Sequence, residues 1–129
     1  MESWAPERQL LWNVIAEMVK DGMIAGASGN ASMRLIGESE SETVLITPMG
    51  KPYRELGPAD LVIIDMDGDS VEGDDPPSSE TALHLALYHA RPDVGAILHT
   101  HSLYATMAAV AALIAENKGD AKTGKLVFA

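Results

Sequence analysis

The sequence predicts a mixed α/β domain in which helices cover the faces of a sheet, without a regular βαβ repeat. Three observations carry this. Apolar residues recur at helical spacing near the N-terminus. Short β-branched runs alternate with glycine- and proline-rich turns through the middle, and an Ala-rich stretch follows the last apolar run. At 129 residues the chain is one domain's worth of sequence, and 47% hydrophobic against 22% charged residues is enough to bury a core.

Between Pro6 and Lys20, the residues Leu10, Leu11, Val14, Ile15, Met18 and Val19 fall on a helical face, with Pro6 in the first turn and Gly22 at the stop. Gly26-Ala27-Ser28-Gly29-Asn30 reads as a turn. Residues 31–36 and 43–47 read as strands joined by a polar loop, and Thr47-Pro48-Met49-Gly50 as a turn. Residues 61–65 suit a buried strand, Asp67-Gly68 a tight turn, and residues 70–72 a short return strand. After an acidic, proline-containing loop, Ser78 or Ser79 can cap a helix over residues 80–90, which Arg91-Pro92 stops. Residues 94–99 form a strand, and Ser102 can cap a final helix to about residue 116. The domain is therefore expected over residues 1–116. A divergent polar tail, 117–129, ends in the apolar Leu126-Val127-Phe128-Ala129, which can cover an otherwise open sheet edge.

Charge narrows the partners. Nine Lys and Arg against 19 Asp and Glu give a formal net charge of −10, the wrong sign for binding a nucleic-acid backbone. A small anion stays possible, because local N–H groups or a metal can outweigh global charge. With no cysteine there is no disulfide, thiolate metal site or Cys nucleophile, so any metal must be held by His and carboxylates. The acidic N-terminus lacks a secretory pattern, and the longest apolar-rich run, residues 107–115, is too short to span a bilayer. The expectation is a soluble, cytoplasmic protein that engages no membrane.

His99-Thr100-His101 closes an apolar strand, and residues two apart on a strand share a face, so both imidazoles can converge on one ion. Two half-exposed histidines bonded to neighbours would look the same. Pro77-Ser78-Ser79-Glu80 offers hydroxyls and free N–H groups at a helix start, which is either an anion corner or simply a capped helix with an acidic first turn. In Ser28-Gly29-Asn30 the glycine permits close backbone approach and the Asn amide can donate, although many such triplets are only turns. His84 and His89 do not share a helical face and read as structural or exposed. Tyr88 and Leu87 read as core, and Arg34 as part of a solvated strand face.

Taken together, Gly29-Asn30, then Ile46-Thr47-Pro48-Met49-Gly50-Lys51-Pro52-Tyr53, then Pro77-Ser78-Ser79-Glu80, then His99-Thr100-His101-Ser102 resemble the class II aldolase/adducin N-terminal-domain family. The likeness runs from about residue 8 to 112 and is closest over Glu80-Thr81-Ala82-Leu83-His84 and from Arg91 to His101. It implies a three-layer α/β/α domain with a mostly antiparallel central sheet. It also implies zinc held by His99 and His101, with Glu80 as a ligand or as the acid/base beside the metal. Gly29, Asn30, Gly50, Ser78 and Ser79 match the family's phosphate pocket.

The chemistry implied is retro-aldol cleavage of a ketose phosphate through a zinc-stabilised enediolate, by a cytoplasmic homotetramer. Sugar-phosphate 4-epimerisation or dehydration is the neighbouring alternative, and a non-catalytic, adducin-like interaction module is another. Two departures stand out. Met49 replaces a small hydroxylated residue of the family's aldolases. No histidine follows His101 and no tyrosine follows Tyr104, so the family's third metal ligand and its acid/base tyrosine have no counterpart here. The chain accordingly reads as the N-terminal portion of such an enzyme.

Overall fold

Helix α1 (Ala5–Lys20) forms where the periodicity places it, and buries Arg8, Leu11, Ile15 and Met18 at steps of three and four residues. Its end is closed by a pair of reversed hydrogen bonds, Gly22 N–H to Val19 O at 3.1 Å and Met23 N–H to Met18 O at 2.9 Å. Gly22 sits at φ 73°, the left-handed conformation this stop requires and glycine adopts without strain. The structure is a computed structural model and describes residues 3–100 and the backbone of 126–128. The predicted helix after Ser102, and His101 itself, lie outside the described residues.

Six strands follow: β1 (Asn30–Ile36), β2 (Glu42–Ile46), β3 (Val62–Asp65), β4 (Ser70–Glu72), β5 (Ala96–His99) and β6 (Leu126–Phe128). They form one sheet in the order β4-β3-β2-β1-β5-β6. Every pairing from β4 to β5 is antiparallel, and β6 runs parallel to β5. The tail strand thus pairs along the β5 edge, one of the two ways the sequence left open for that edge. Helix α2 (Thr81–Ala90) comes between β4 and β5.

Strand alternation divides the interior in two. Ala31, Leu35, Leu45, Ile63 and Leu98 pack with Leu11, Ile15 and Met18 of α1. The residues between them, Val44, Ile46, Val62, Ile64 and Ile97, pack with Leu85 and Tyr88 of α2. Among the described residues one helix lies on each face of the sheet, which makes three layers. Observed strand limits differ from the expected ones by one or two residues. The largest difference is at Val94, which is buried but precedes β5 and donates its N–H to Arg91 O at 3.1 Å.

Arg34 corrects the sequence reading. Its side chain is only 7% exposed and not part of a solvated face. The guanidinium donates to Tyr88 O at 2.8 Å, Arg91 O at 3.0 Å and Val94 O at 3.0 Å, and pairs with Glu42 at 2.8 Å. It therefore satisfies carbonyls that the C-terminal end of α2 leaves without helical partners. Its carbon Cζ lies 4.8 Å from the centre of the Tyr88 ring.

Arg8 performs the equivalent task on the other face. It is 2% exposed and reaches from α1 to Leu61 O at 2.7 Å and Ser3 O at 2.8 Å. Replacing it strands buried carbonyls that had a charged donor. Arg8→Met should lower stability by about 2–3 kcal/mol, read as a reduced urea midpoint with an unchanged slope. A midpoint equal to that of the native chain would refute this role.

Candidate functional site

Three chain segments meet at the end of β1. The first is the turn leading into it. Gly29 has φ 77°, and a Cβ there would lie 2.5 Å from Ile24 Cγ2 and 2.8 Å from the His99 carbonyl oxygen. Both the backbone conformation and the space demand glycine. Tyr53 fastens this turn: its hydroxyl donates to Gly29 O at 2.7 Å and its N–H to Gly26 O at 2.9 Å. Burial pushes the Tyr53 phenol up to about 12, so it stays protonated and a donor.

The second and third segments are laced together. Met49 N–H donates to Pro76 O at 2.9 Å, and Ser78 N–H to Thr47 O at 3.0 Å. Lys51 pairs with Asp75 at 2.8 Å across the same seam. Helix α2 begins at Thr81, later than the sequence indicated, with Glu80 in the cap position. Neither serine caps it conventionally. Instead Ser78 Oγ accepts the Glu80 N–H at 3.1 Å, while Ser78 O accepts from Thr81 N–H at 3.1 Å and from the Thr81 hydroxyl at 2.6 Å. Ser78 is buried in this tight turn and Ser79 is exposed.

Between these segments lies a small open cleft. Gly29, Asn30, Gly50, Ser78, Ser79 and Glu80 all line it, together with Ser28 and Met49. Six of the expected site residues, separated by up to 51 positions in sequence, share one concavity.

His99 is half-buried and does not line that cleft; it stands directly opposite Asn30 in the β1–β5 pairing. Directly opposed residues present their side chains to the same face of a sheet. Among the described residues, no three His, Cys, Asp or Glu side chains come together around a common point. The donor types of His99, His101 and Glu80, two imidazoles and a carboxylate, are nevertheless those zinc takes.

Beneath the cleft runs a buried hydrogen-bond chain that the sequence reading missed. His84, with no exposed surface, bridges β1: its Nε2 is 2.5 Å from Asn30 Oδ1 and its Nδ1 is 2.6 Å from Ser32 Oγ. Ser32 Oγ is also 2.7 Å from the Tyr88 hydroxyl. Burial pushes the Tyr88 phenol up to about 12, so it keeps its proton.

The order of protons follows from what each group can do. Ser32 Oγ is the acceptor that the Tyr88 hydroxyl finds among the described residues, and a buried O–H without an acceptor is costly. Tyr88 therefore donates to Ser32, Ser32 donates to His84 Nδ1, and His84 donates from Nε2–H to Asn30 Oδ1. His84 and His89 do lie on different helix faces. His89 is exposed and bonds Met66 O at 2.9 Å.

Residues 9–126 match the family described as Class II Aldolase and Adducin N-terminal domain. A 5-deoxy-D-ribulose 1-phosphate aldolase of Bacillus thuringiensis serovar kurstaki is 43% identical over 89 residues, 69% of this chain and 40% of the relative. An L-ribulose-5-phosphate 4-epimerase of Salmonella paratyphi C is 38% identical over 99 residues, 77% of this chain and 42% of the relative. Among solved structures, an L-fuculose 1-phosphate aldolase superposes with a TM-score of 0.68 at 34% identity, covering 84% of this chain and 49% of that one. The chain thus spans about two fifths of the length of the curated relatives it matches.

The His84 chain has a consequence for stability. Burial, reinforced by the nearby His99, lowers the His84 imidazole from 6.5 to about 4. Between those values the unfolded chain binds a proton that the folded one refuses. The stability of the neutral network is complete above about pH 6.5 and is lost as the pH falls toward 4. The window corresponds to roughly 3 kcal/mol. Urea midpoints measured from pH 7 to 4.5 should fall less steeply for His84→Gln than for the native chain; equal slopes would assign the titration to another group.

Proposed function

The chain belongs to the class II aldolase and adducin N-terminal domain family, and from that premise we propose that it carries the phosphate-binding and proton-transfer half of a sugar-phosphate lyase site. The observation that supports this most is the shared cleft, in which Gly29, Asn30, Gly50, Ser78 and Ser79 surround one end and Glu80 stands beside them. The substrate class is a ketose phosphate, the class named for the aldolase and epimerase relatives.

In this reading the phosphate is held by neutral donors: backbone N–H groups of the two glycine turns, the Asn30 amide and the Ser79 hydroxyl. Binding the remote phosphate places the reacting carbons against Glu80 and limits their motion. Zinc, held by His99, His101 and Glu80, would polarise the sugar carbonyl when bound. Cleaving the carbon–carbon bond turns the carbinol carbon of the departing fragment into an aldehyde as its hydroxyl gives up a proton to solvent. It leaves electron density on the carbon next to the sugar carbonyl, which must take up a proton. Among the described residues Glu80 is the carboxyl group lining the cleft, and we assign it the delivery of that proton in cleavage and its removal in the reverse direction. Met49, 47% exposed at the cleft, brings a thioether where a hydroxyl would add a further phosphate bond.

Epimerisation uses the same bond cleavage followed by re-addition to the other carbonyl face, and the 4-epimerase relative keeps it as the second reading. We also propose that the protein acts in the cytoplasm as a homotetramer whose neighbouring subunits complete the site.

The test is a panel of ketose 1-phosphates and ketose 5-phosphates offered to the zinc-supplemented protein, with products resolved by NMR. Cleavage to a triose phosphate and an aldehyde is expected with at least one 1-phosphate. Glu80→Gln should then reduce kcat by about 100-fold or more with little change in KM, the usual weight of a positioned acid or base. A Glu80→Gln protein with native kcat would overturn the assignment. Inversion at a carbinol centre without cleavage products would select the epimerase.

A further inference from the structure

We propose that His84 is a positioning residue that turns the Asn30 amide so that its NH2 group faces the cleft as an anion donor. This rests on the phosphate assignment above and deepens it: His84 sets the affinity for phosphate without touching it.

An asparagine side chain has one accepting and one donating terminal atom, and an anion can use only the donor. Left to itself, the amide can rotate by half a turn and present its oxygen to the cleft, which would repel phosphate. Asn30 is 5% exposed and lines the cleft, so its orientation there is a matter of buried partners, not of solvent. The partner on the helix side is His84, whose Nε2 lies 2.5 Å from Asn30 Oδ1. A donor at that place accepts only the oxygen as its mate, and leaves the nitrogen for the other side.

The nitrogen of His84 that carries the proton is in turn chosen by its second neighbour. Ser32 Oγ, 2.6 Å from Nδ1, receives the Tyr88 hydroxyl proton at 2.7 Å and so passes its own proton to Nδ1. The proton on Nε2 and the orientation of Asn30 are thus two ends of one chain that begins at Tyr88. Arg34, bonded to Tyr88 O at 2.8 Å and lying over the ring, holds Tyr88 in place. All of these links join β1 to α2, so the donor direction is set by the packing of a helix on a sheet.

The experiment uses the full chain and inorganic phosphate as the probe, with affinities from NMR shift titrations. His84→Asn, which keeps a short amide but lacks the reach of Nε2, should weaken phosphate binding about tenfold, the weight of one lost hydrogen bond. His84→Gln, which places an N–H donor near the Nε2 position, should remain within about threefold of native. In an Asn30→Ala background the His84→Asn change should add no further loss, because its effect runs through Asn30. An equal loss in both backgrounds would show a general structural role and overturn the proposal.

An independent readout needs no variant. Long-range proton–nitrogen spectra of the native chain should show His84 as the neutral Nε2–H tautomer, and an Nδ1–H tautomer would overturn the proposal directly. Native protein that binds no phosphate would instead overturn the underlying phosphate assignment together with this inference, whereas native binding with additive losses overturns this inference alone.

Discussion

Strand β1 carries polar side chains onto a buried face, and the arrangement of the rest follows from how they are satisfied. Asn30, Ser32 and Arg34 alternate with Ala31, Met33 and Leu35, and the polar set faces α2 near the centre of the sheet. In such surroundings an unpaired polar group is costly and a paired one is strengthened. Helix α2 supplies the partners with His84, Tyr88 and its terminal carbonyls. Apolar contact through Leu85 alone would tolerate a small slide or rotation of the helix. Hydrogen bonds of 2.5 to 2.8 Å do not, because their strength falls steeply with angle and distance. Locking α2 also locks what lies just before it, and Ser78, Ser79 and Glu80 are the last residues before its first turn.

The opposite wall of the cleft is fixed by backbone. Met49 and Ser78 close a seam with Pro76 and Thr47, and Tyr53 fastens the glycine turn that leads into β1. This division suits a chain with a net charge of −10. Among the described residues no arginine or lysine lines the cleft, and Lys51, next to Gly50 of its lining, is paired with Asp75. In the proposed reading, anion recognition therefore rests on oriented neutral dipoles, whose effect depends on direction far more than that of a point charge does. A site of this kind makes demands on its supports: a donor pointing the wrong way is a loss, where a lysine would simply bend back. The fixed turns and the buried chain beneath Asn30 answer that demand.

Most of the framework was legible in the sequence because its causes are local. The α1 face, the Gly22 stop and the five strands through β5 are all written in the spacing of nearby residues, and their limits moved by only one or two positions. The cleft residues were legible in another way. Singly, Gly29-Asn30 and Ser78-Ser79-Glu80 are ordinary turns and helix starts, and only their ordered combination marked them. What stayed hidden was the set of long-range polar partners. Ser32 and His84 are 52 positions apart, Arg34 and Tyr88 54, and Gly29 and Tyr53 24. A serine on a strand or a histidine on a helix has no local pattern that names its mate. Arg34 looked solvated because alternation with apolar neighbours says which face it takes, and not that a helix end lies across that face.

The pairing of β1 with β5 decides how the cleft and the strand ending in His99 relate. Asn30 opposes His99, and Gly29 passes so near the His99 carbonyl that a Cβ would lie 2.8 Å from it. Two backbones this close leave no room for adjustment, so the separation between Asn30 and His99 is set by strand spacing and not by loop conformation. A slip of one residue in this register would turn Asn30 and His99 to opposite faces and separate the two side chains. The apolar neighbours oppose such a slip of β5, because Leu98 would leave the α1 core and Ile97 the α2 core at the same step. The same alternation that builds the three layers therefore holds Asn30 and His99 side by side, which is the geometry that the proposed two-point binding of a sugar phosphate requires. Glycine at position 29 is the local cost of bringing those two strands together at the mouth of the cleft.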